Sequence, residues 1–449
     1  MKTRIVSGAK FRTELNPPGR QPALALSLFT AAIATLTAFG QDTLTAGSGF
    51  TQTKGGQGGR LIRVTSLEAQ GAGSLAEALA GKGPRIIVFE VAGVIDLAGH
   101  SLRINEPFVT VAGQTAPSPG ITLIRGAIGI TTHEVVLQHI RVRPGEAGRE
   151  KKSGWEVDGI STAGGAHDVI VDHCSCTWAT DENLSASGPR FEGESVEAWR
   201  ERTSHNVTFS NCLIAEGLSR STHAKGEHSK GSLIHDNTSN IAIIANLYAS
   251  DMERCPLFKG GARGVIVNNL IVNPGRKAIH FGLVPDEWGT HPWVAGQMAV
   301  VGNQMLGGSD TVPGLALVSH SRGPLELYLK DNRALDRSGK PLPEYSSSSG
   351  SDPKAACTLV KAPPLWPVDL KALPVERVRD AVLANAGARP WDRDAIDSRI
   401  IEEAKNNTGH IIDSEQQVGG YPNPKPMHSP FNPQEWDLAT MDKRRAERP

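Results

Sequence analysis

Between Phe108 and Leu306 one short phrase keeps returning: three or four alternating β-branched or apolar residues, a polar His or Asn, then a second short apolar run. It reads VVLQHIRV from Val135, VIVDHCSC from Val169, VTFSNCLI from Val207, IAIIANLY from Ile241, VIVNNLIV from Val265 and AVVGNQML from Ala299. Successive starts lie 34, 38, 34, 24 and 34 residues apart, too close for repeated βαβ units with long helices, and no 3.6-residue apolar stripe recurs to make a helical solenoid. A unit this small cannot bury its own apolar face. Similar phrases must stack coil on coil with their strands paired in parallel, which predicts an all-β chain folded as a parallel β-helix. His139, His173, Asn211, Asn269 and Asn303 share one place in the phrase, so they are expected to form an internal or corner ladder bonded between coils, structural rather than catalytic.

The flanks fit that core. Five basic residues, Lys2, Arg4, Lys10, Arg12 and Arg20, precede an apolar, small-residue run from Pro22 to Phe39, and Ala38-Phe39-Gly40 offers small residues at the cleavage positions. Residues 1–40 therefore read as a secretory signal, giving an extracellular or periplasmic protein with no membrane attachment after its removal. A single transmembrane anchor is the other reading of the run. Residues 41–330 are assigned to the solenoid, with 41–107 as its N-terminal cap region: Gly58–Leu97 holds strand-like LIRV, a short capped helix at GSLAEALA, and strand-like IIVFEV. Residues 331–366 read as a Pro/Ser/Gly-rich linker, and 367–449 as a helical and irregular tail packing on the solenoid, with helices at Val375–Asn385 and Arg393–Lys405 and a frayed last dozen residues.

Composition limits the ligands. With 47 Lys+Arg against 47 Asp+Glu, the chain is no bulk nucleic-acid binder, and any positive field must be local. The 48 glycines keep no three-residue period, which excludes collagen and suits a turn-rich β architecture. Cys174, Cys176, Cys212, Cys255 and Cys357 are an odd set without paired CxxC spacing, so they read as buried small hydrophobes, a Cys174–Cys212 bridge being geometrically open if those segments stack.

Two clusters can carry chemistry. Glu156 and Asp158 flank a strand entry at WEVDGI, and Asp181-Glu182 follow the next strand at TDENLS. In stacked coils these segments share a side, and such an oxygen-rich, sulfur-free group suits Ca²⁺ better than Zn²⁺, although loop carboxylates are ordinarily just solvated. Lys225, His228 and Lys230 in KGEHSKGS, with Arg254 and Lys259 in ERCPLFKGG, make a basic cluster on neighbouring coils. Cations beside a carboxylate-held metal would form a groove for a polyanion; scattered surface charge is the plainer reading. Hydrolysis by paired carboxylic acids is the competing design, but Asp181-Glu182, as strand neighbours, are expected to point to opposite faces.

At these residues the sequence resembles the pectate lyases of the parallel β-helix polysaccharide lyase group, a likeness covering roughly Gly55 to Gly282. VIVDHC at Val169–Cys174 looks like that family's strand motif ending in Asp-His; Arg254-Cys255-Pro256-Leu257-Phe258-Lys259 is similar to its Arg-x-Pro-x-x-Arg motif; HSKGSLIHD places Lys230 at its substrate-binding lysine. GGRLIRVTSL, GSLAEAL and GPRIIVFEVAGVIDL look like the start of family members from environmental bacteria. The resemblance implies a right-handed solenoid, Glu156, Asp158 and Asp181 as calcium ligands, Arg254 as the proton-abstracting base, and Lys230 and Lys259 as holders of substrate carboxylates. Two positions depart from the pattern: Ser185 stands where a further acidic ligand is usual, leaving Glu182 as a substitute, and Lys259 replaces Arg, losing a bidentate contact while keeping charge.

The implied substrate is polygalacturonate or pectin, cleaved by a secreted and monomeric enzyme through calcium-assisted β-elimination to 4,5-unsaturated oligogalacturonides. Crowding by Lys230, Lys259 and Ca²⁺ is expected to lower the pKa of Arg254, so that high pH favours the reaction. A non-catalytic polysaccharide-binding β-helix and a polygalacturonase hydrolase are the alternatives. The hydrolase should carry clustered aspartates and a Gly-His-Gly segment, neither of which is present.

Overall fold

Each repeated phrase supplies two strands and the corner between them. VVLQHIRV, for example, lies across strands His133–Gln138 and Ile140–Arg143, with His139 at the bend in the left-handed region. A third strand, such as Ile160–Thr162, completes the coil. The computed structural model describes residues 49–348, 350 and 355–444, all within the unit 43–449; the predicted secretory signal lies outside the described residues. Corresponding strands pair in parallel into three sheets, the first of eleven strands, the second of ten, including one antiparallel terminal strand, Met427–His428, and the third of nine. The chain is a parallel β-helix, as the repeat requires.

The core follows from period-two alternation. Val135, Val169, Val207 and Ile241 stand in register in the first sheet and are fully buried, as are Val171, Phe209 and Ile243 two residues on. They meet Cys176 and Ile214 of the second sheet and Ile160, Leu184, Ile234 and Phe258 of the third in one continuous apolar interior. At one end of that interior, Ser74 caps helix Leu75–Leu79 by accepting the Glu77 N–H, and Leu75, Ala78 and Leu79 join the core.

The polar ladder divides into two columns. Ile241 pairs with Gly264, not Val265, so the phrase from Val265 is shifted by one residue against its predecessor. His139, His173 and Asn211 therefore align with Ala245 and Asn268, all at left-handed corners. Asn269 and Asn303 belong to the next column, with Asn246 and Asn332. There each side-chain carbonyl accepts both the backbone and the side-chain N–H of the asparagine on the preceding coil: Asn269 from Asn246, Asn303 from Asn269, Asn332 from Asn303, donors and acceptors 2.9–3.1 Å apart. In the same column Cys174 and Cys212 are buried at stacked corners between strands and remain free thiols.

Two stretches hold more order than their composition announces. Segment 331–366, read as linker, carries strands Arg333–Leu335, Tyr345–Ser347 and Cys357–Leu359, one added to each sheet. Sparse apolar residues suffice to continue the stack, because Leu342, Tyr345 and Cys357 still pack against the main core. At the other extreme, the final residues through Arg444 are placed rather than frayed: Met441 is buried with Ile86, Val88 and Ala112 on the outer face of the first sheet.

Helices Val375–Asn385 and Ala395–Asn406 lay Val378, Val382, Ile396 and Ile400 over Leu213, Leu247, Ala249 and Leu270 on the outer face of the second sheet. Beside this apolar contact sits a buried charge network. Arg141 and Arg143, almost fully buried on strand Ile140–Arg143, meet Asp397 at 3.0 and 2.7 Å, and Arg143 also meets Asp394 at 2.6 Å. Ser175 Oγ donates to Asp397 Oδ2 at 2.7 Å. The helical tail thus covers the second sheet and leaves the third free to carry the site.

Candidate functional site

Neighbouring strands of the third sheet begin beside the candidate residues. Glu156 and Asp158 precede Ile160–Thr162; Asp181 and Glu182 precede Leu184–Ala186; Lys230 precedes Leu233–Ile234; Arg254 precedes Leu257–Lys259. Because Ser161 stands opposite Ser185 and the backbone of Lys230 pairs with those of both Glu182 and Glu253, all of these entries lie along one edge of the sheet.

The carboxylates that converge are Asp158, Asp181 and Glu182, each offering an oxygen within 4.8 Å of the others. Asp181 and Glu182, expected to diverge as strand neighbours, come together because they sit in the irregular bend before the strand, where alternation does not apply. The Glu182 N–H donates to Asp158 Oδ1 at 3.1 Å, and Ser185 Oγ donates to Asp158 Oδ2 at 2.6 Å. Ser185 thus serves as a hydrogen-bond partner of a carboxylate, and Glu182 brings the third acid. Glu156 lies outside the trio: its Oε1 accepts the Ala224 N–H at 3.0 Å and stands 3.4 Å from His223 Nδ1.

Burial, with the neighbouring Asp181 charge added, pushes the Asp158 carboxyl up to about 7. Asp181 moves the other way; burial alone would raise it, but the hydrogen bond and charge of His228, with the charges of His223 and Arg254, together outweigh that and hold it below the usual carboxylate range. The single guanidinium of Arg254, paired with Glu182, does not balance three carboxylates. Three oxygen donors without sulfur fit a hard divalent cation such as Ca²⁺, whose charge would restore all three to the ionised form.

Arg254 joins this group directly, as its guanidinium is ion-paired with Glu182. Its backbone occupies the left-handed region at φ 65°, where a non-glycine residue is uncommon. The register explains the strain: from Lys230 to Leu233 three steps on one coil face four steps, from Glu253 to Leu257, on the next. Arg254 stands within that longer step and is turned toward the acids by it. The guanidinium's pKa is lowered chiefly by burial, with Arg276 adding to the effect and Asp181 and Asp158 opposing it. Burial, rather than the Lys230 and Lys259 crowding expected from sequence, is the main cause.

Neither lysine is free to act at a distance. Lys230 Nζ is ion-paired with Glu253, which also takes Arg276 Nε at 3.0 Å. Lys259 Nζ is held between Glu287 and Asp236, the latter at 3.2 Å, and Arg190 binds the same two carboxylates at 2.8 and 3.0 Å. A substrate carboxylate meeting either lysine must exchange with a resident one. Sequence spacing gives no sign of these partners: Glu253 lies 23 residues from Lys230, and Glu287 28 residues from Lys259. Also unforeseen is the placement of His223 and His228 against Asp181, although His228 is visible within the basic cluster.

No family model matches the chain. Its sequence is 28% identical over 373 residues to the probable pectate lyase C of Emericella nidulans, covering 82% of this chain and 76% of that protein. It is 26% identical over 410 residues to the probable pectate lyase C of Aspergillus fumigatus, covering 88% and 84%. In structure it is similar to jun a 1, the major allergen from cedar pollen, with a TM-score of 0.52 at 14% identity over 76% of this chain and 92% of that one, a likeness of fold alone. Along most of its length the sequence is similar to proteins named probable pectate lyase C, and its repeats build a parallel β-helix.

Proposed function

We propose that the protein is a polysaccharide lyase that cleaves α-1,4-linked polygalacturonate by calcium-assisted β-elimination, with Arg254 as the base. The observation that carries this reading is the gathering of Asp158, Asp181 and Glu182 within 4.8 Å of one another beside the Arg254 guanidinium. Relatives named probable pectate lyase C over most of the chain support it.

The chemistry to be met is specific. The hydrogen at C5 of a uronate must leave before the C4 oxygen can be expelled, and its departure adds negative charge to a group that already carries a carboxylate. Calcium held by Asp158, Asp181 and Glu182 would supply Lewis-acid neutralisation of that charge. The protein's residues do the remainder. Glu182 fixes the direction of Arg254 until substrate arrives. Burial lowers the guanidinium's proton affinity, which is the direction a base requires. Lys230, just before one strand, and Lys259, at the end of its neighbour, orient further uronate carboxylates by exchanging their resident glutamates. Glu156 supports the acidic group through His223 instead of joining it.

The protein is proposed to act as a secreted monomer; among the described residues no helix is long and apolar enough to cross a membrane. Depolymerisation of polygalacturonate, followed by loss of viscosity, should stop in EDTA and return with added Ca²⁺. Full activity in the chelator would refute any need for the metal.

A further inference from the structure

Next to the oxygen-only trio lies a second group of different chemistry. His223 and His228 stand on a turn whose arms are tied by the Arg220–Glu227 bridge and by the His228 N–H donating to Ser219 O at 2.8 Å. Their side chains are almost wholly buried, at 2% and 6% exposure, and their rings stack with centroids 3.7 Å apart. Both Nε2 atoms face one oxygen, Asp181 Oδ1, at 3.8 Å for His223 and 2.6 Å for His228. One ligand atom from each of His223, His228 and Asp181 lies within 4.8 Å of the other two.

We propose that His223, His228 and Asp181 form a second divalent-cation site, one that takes a borderline transition ion such as Zn²⁺. Two imidazole nitrogens and one carboxylate oxygen suit zinc, whereas calcium takes oxygen. Bonds of about 2.0–2.2 Å to one central ion hold ligand atoms up to roughly 4 Å apart, which the 3.8 Å from His223 to Asp181 meets, while the ion replaces the 2.6 Å His228–Asp181 hydrogen bond. The turn is pinned where it must be: Thr222 Oγ1 donates to Trp155 O at 2.7 Å, and the Lys152 and Gly154 N–H groups donate to Ser221 O and Thr222 O. That contact brings Glu156 to 3.4 Å from His223 Nδ1. His223 Nδ1 also accepts the Lys225 N–H at 3.1 Å. Ligation through Nε2 puts the ring proton on Nδ1, which gives up the Lys225 N–H and donates instead to Glu156 in the carboxylate–histidine–metal arrangement that orients such ligands. This gives Glu156 a place in the site that the carboxylate trio does not. Asp181 is common to both groups, and the proposal rests on this geometry independently of the lyase reading.

The test is a Zn²⁺ titration of the chelator-treated full chain in saturating Ca²⁺, followed by calorimetry. One equivalent should bind, and the double variant His223→Gln/His228→Gln should bind more than about 100-fold more weakly, beyond what loss of an outer partner of a ligand costs. The pair Asp158→Asn/Glu182→Gln should lose Ca²⁺ and keep Zn²⁺. No uptake by the native protein, equal affinity in the histidine variant, or loss of Zn²⁺ with the carboxylates would overturn the site. Failure of the lyase reading alone would leave the zinc titration unchanged. Co²⁺ bound to the native chain in saturating Ca²⁺ gives a check that needs no variant: the intense visible bands of four-coordinate cobalt support a zinc-like site, and the weak spectrum of a six-coordinate ion contradicts it.

Discussion

Arg254→Lys will lower kcat on polygalacturonate by about 10³-fold, in the range that loss of a positioned acid or base costs, while calcium affinity stays within a few-fold of native. Lysine keeps the positive charge beside Glu182, so the ion pair and the local fold are retained, and the acids that would hold the metal are untouched. What it loses is reach and the planar guanidinium, whose geometry is set by the left-handed turn at residue 254 and the extra residue in that coil. Steady-state rates with a parallel calcium titration separate the two effects. Turnover near the native value would remove Arg254 from the base role, and an equal loss of calcium affinity would assign it to assembling the site instead.

The largest expected effect on stability lies on a different face. Asp397→Ala will cost about 3–5 kcal/mol, the usual penalty for breaking a buried ion pair by deleting one partner. Asp397 is fully buried and answers both Arg141 and Arg143; without it two guanidiniums of almost no exposure share Asp394 alone, and Ser175 loses its acceptor. Denaturant unfolding of native and variant protein measures the cost directly; a loss below about 1 kcal/mol would put this network with ordinary surface pairs. The acid limb follows from the same residues. Burial alone would raise the Asp394 carboxyl, but the charge and hydrogen bond of Arg143, with Arg141 and the Asp397 N–H, together outweigh it and hold it well below the ordinary range. A carboxylate depressed in the folded state contributes stability that is present above its unfolded value of about 3.9 and is lost as pH falls through the folded one, so docking of the tail persists into acid.

The fold is legible in the sequence because its information is periodic and local. Alternation of valine and isoleucine around a polar corner can be read in one phrase, and repetition turns it into a stack. Where the period slips by one residue, at Gly264, alignment by eye puts Asn269 in the column of His139, and only backbone pairing shows the shift. The Ser-rich strand Tyr345–Ser347 is hidden for a related reason: terminal coils bury little, so their sequence carries little pattern. At the site, Asp158, Asp181 and Arg254 can be found through motif spacing and do share one edge of the sheet. Glu182 is discounted by a strand rule that its bend does not obey. The partners that neutralise Lys230 and Lys259 leave no trace at all, because nothing in the spacing of Glu253, Asp236 and Glu287 marks them until folding brings them within reach. Equally, Asp394 and Asp397 lie 251 and 254 residues from Arg143, which they satisfy.

Elimination, hydrolysis and mere binding leave different products, and one measurement tells them apart. Polygalacturonate incubated with the protein and Ca²⁺ should develop the ultraviolet absorbance of a 4,5-unsaturated uronate in step with chain scission. New reducing ends without that absorbance would show hydrolysis; neither signal would show a binder, and either result would contradict Arg254 and the carboxylate trio as the machinery of a lyase.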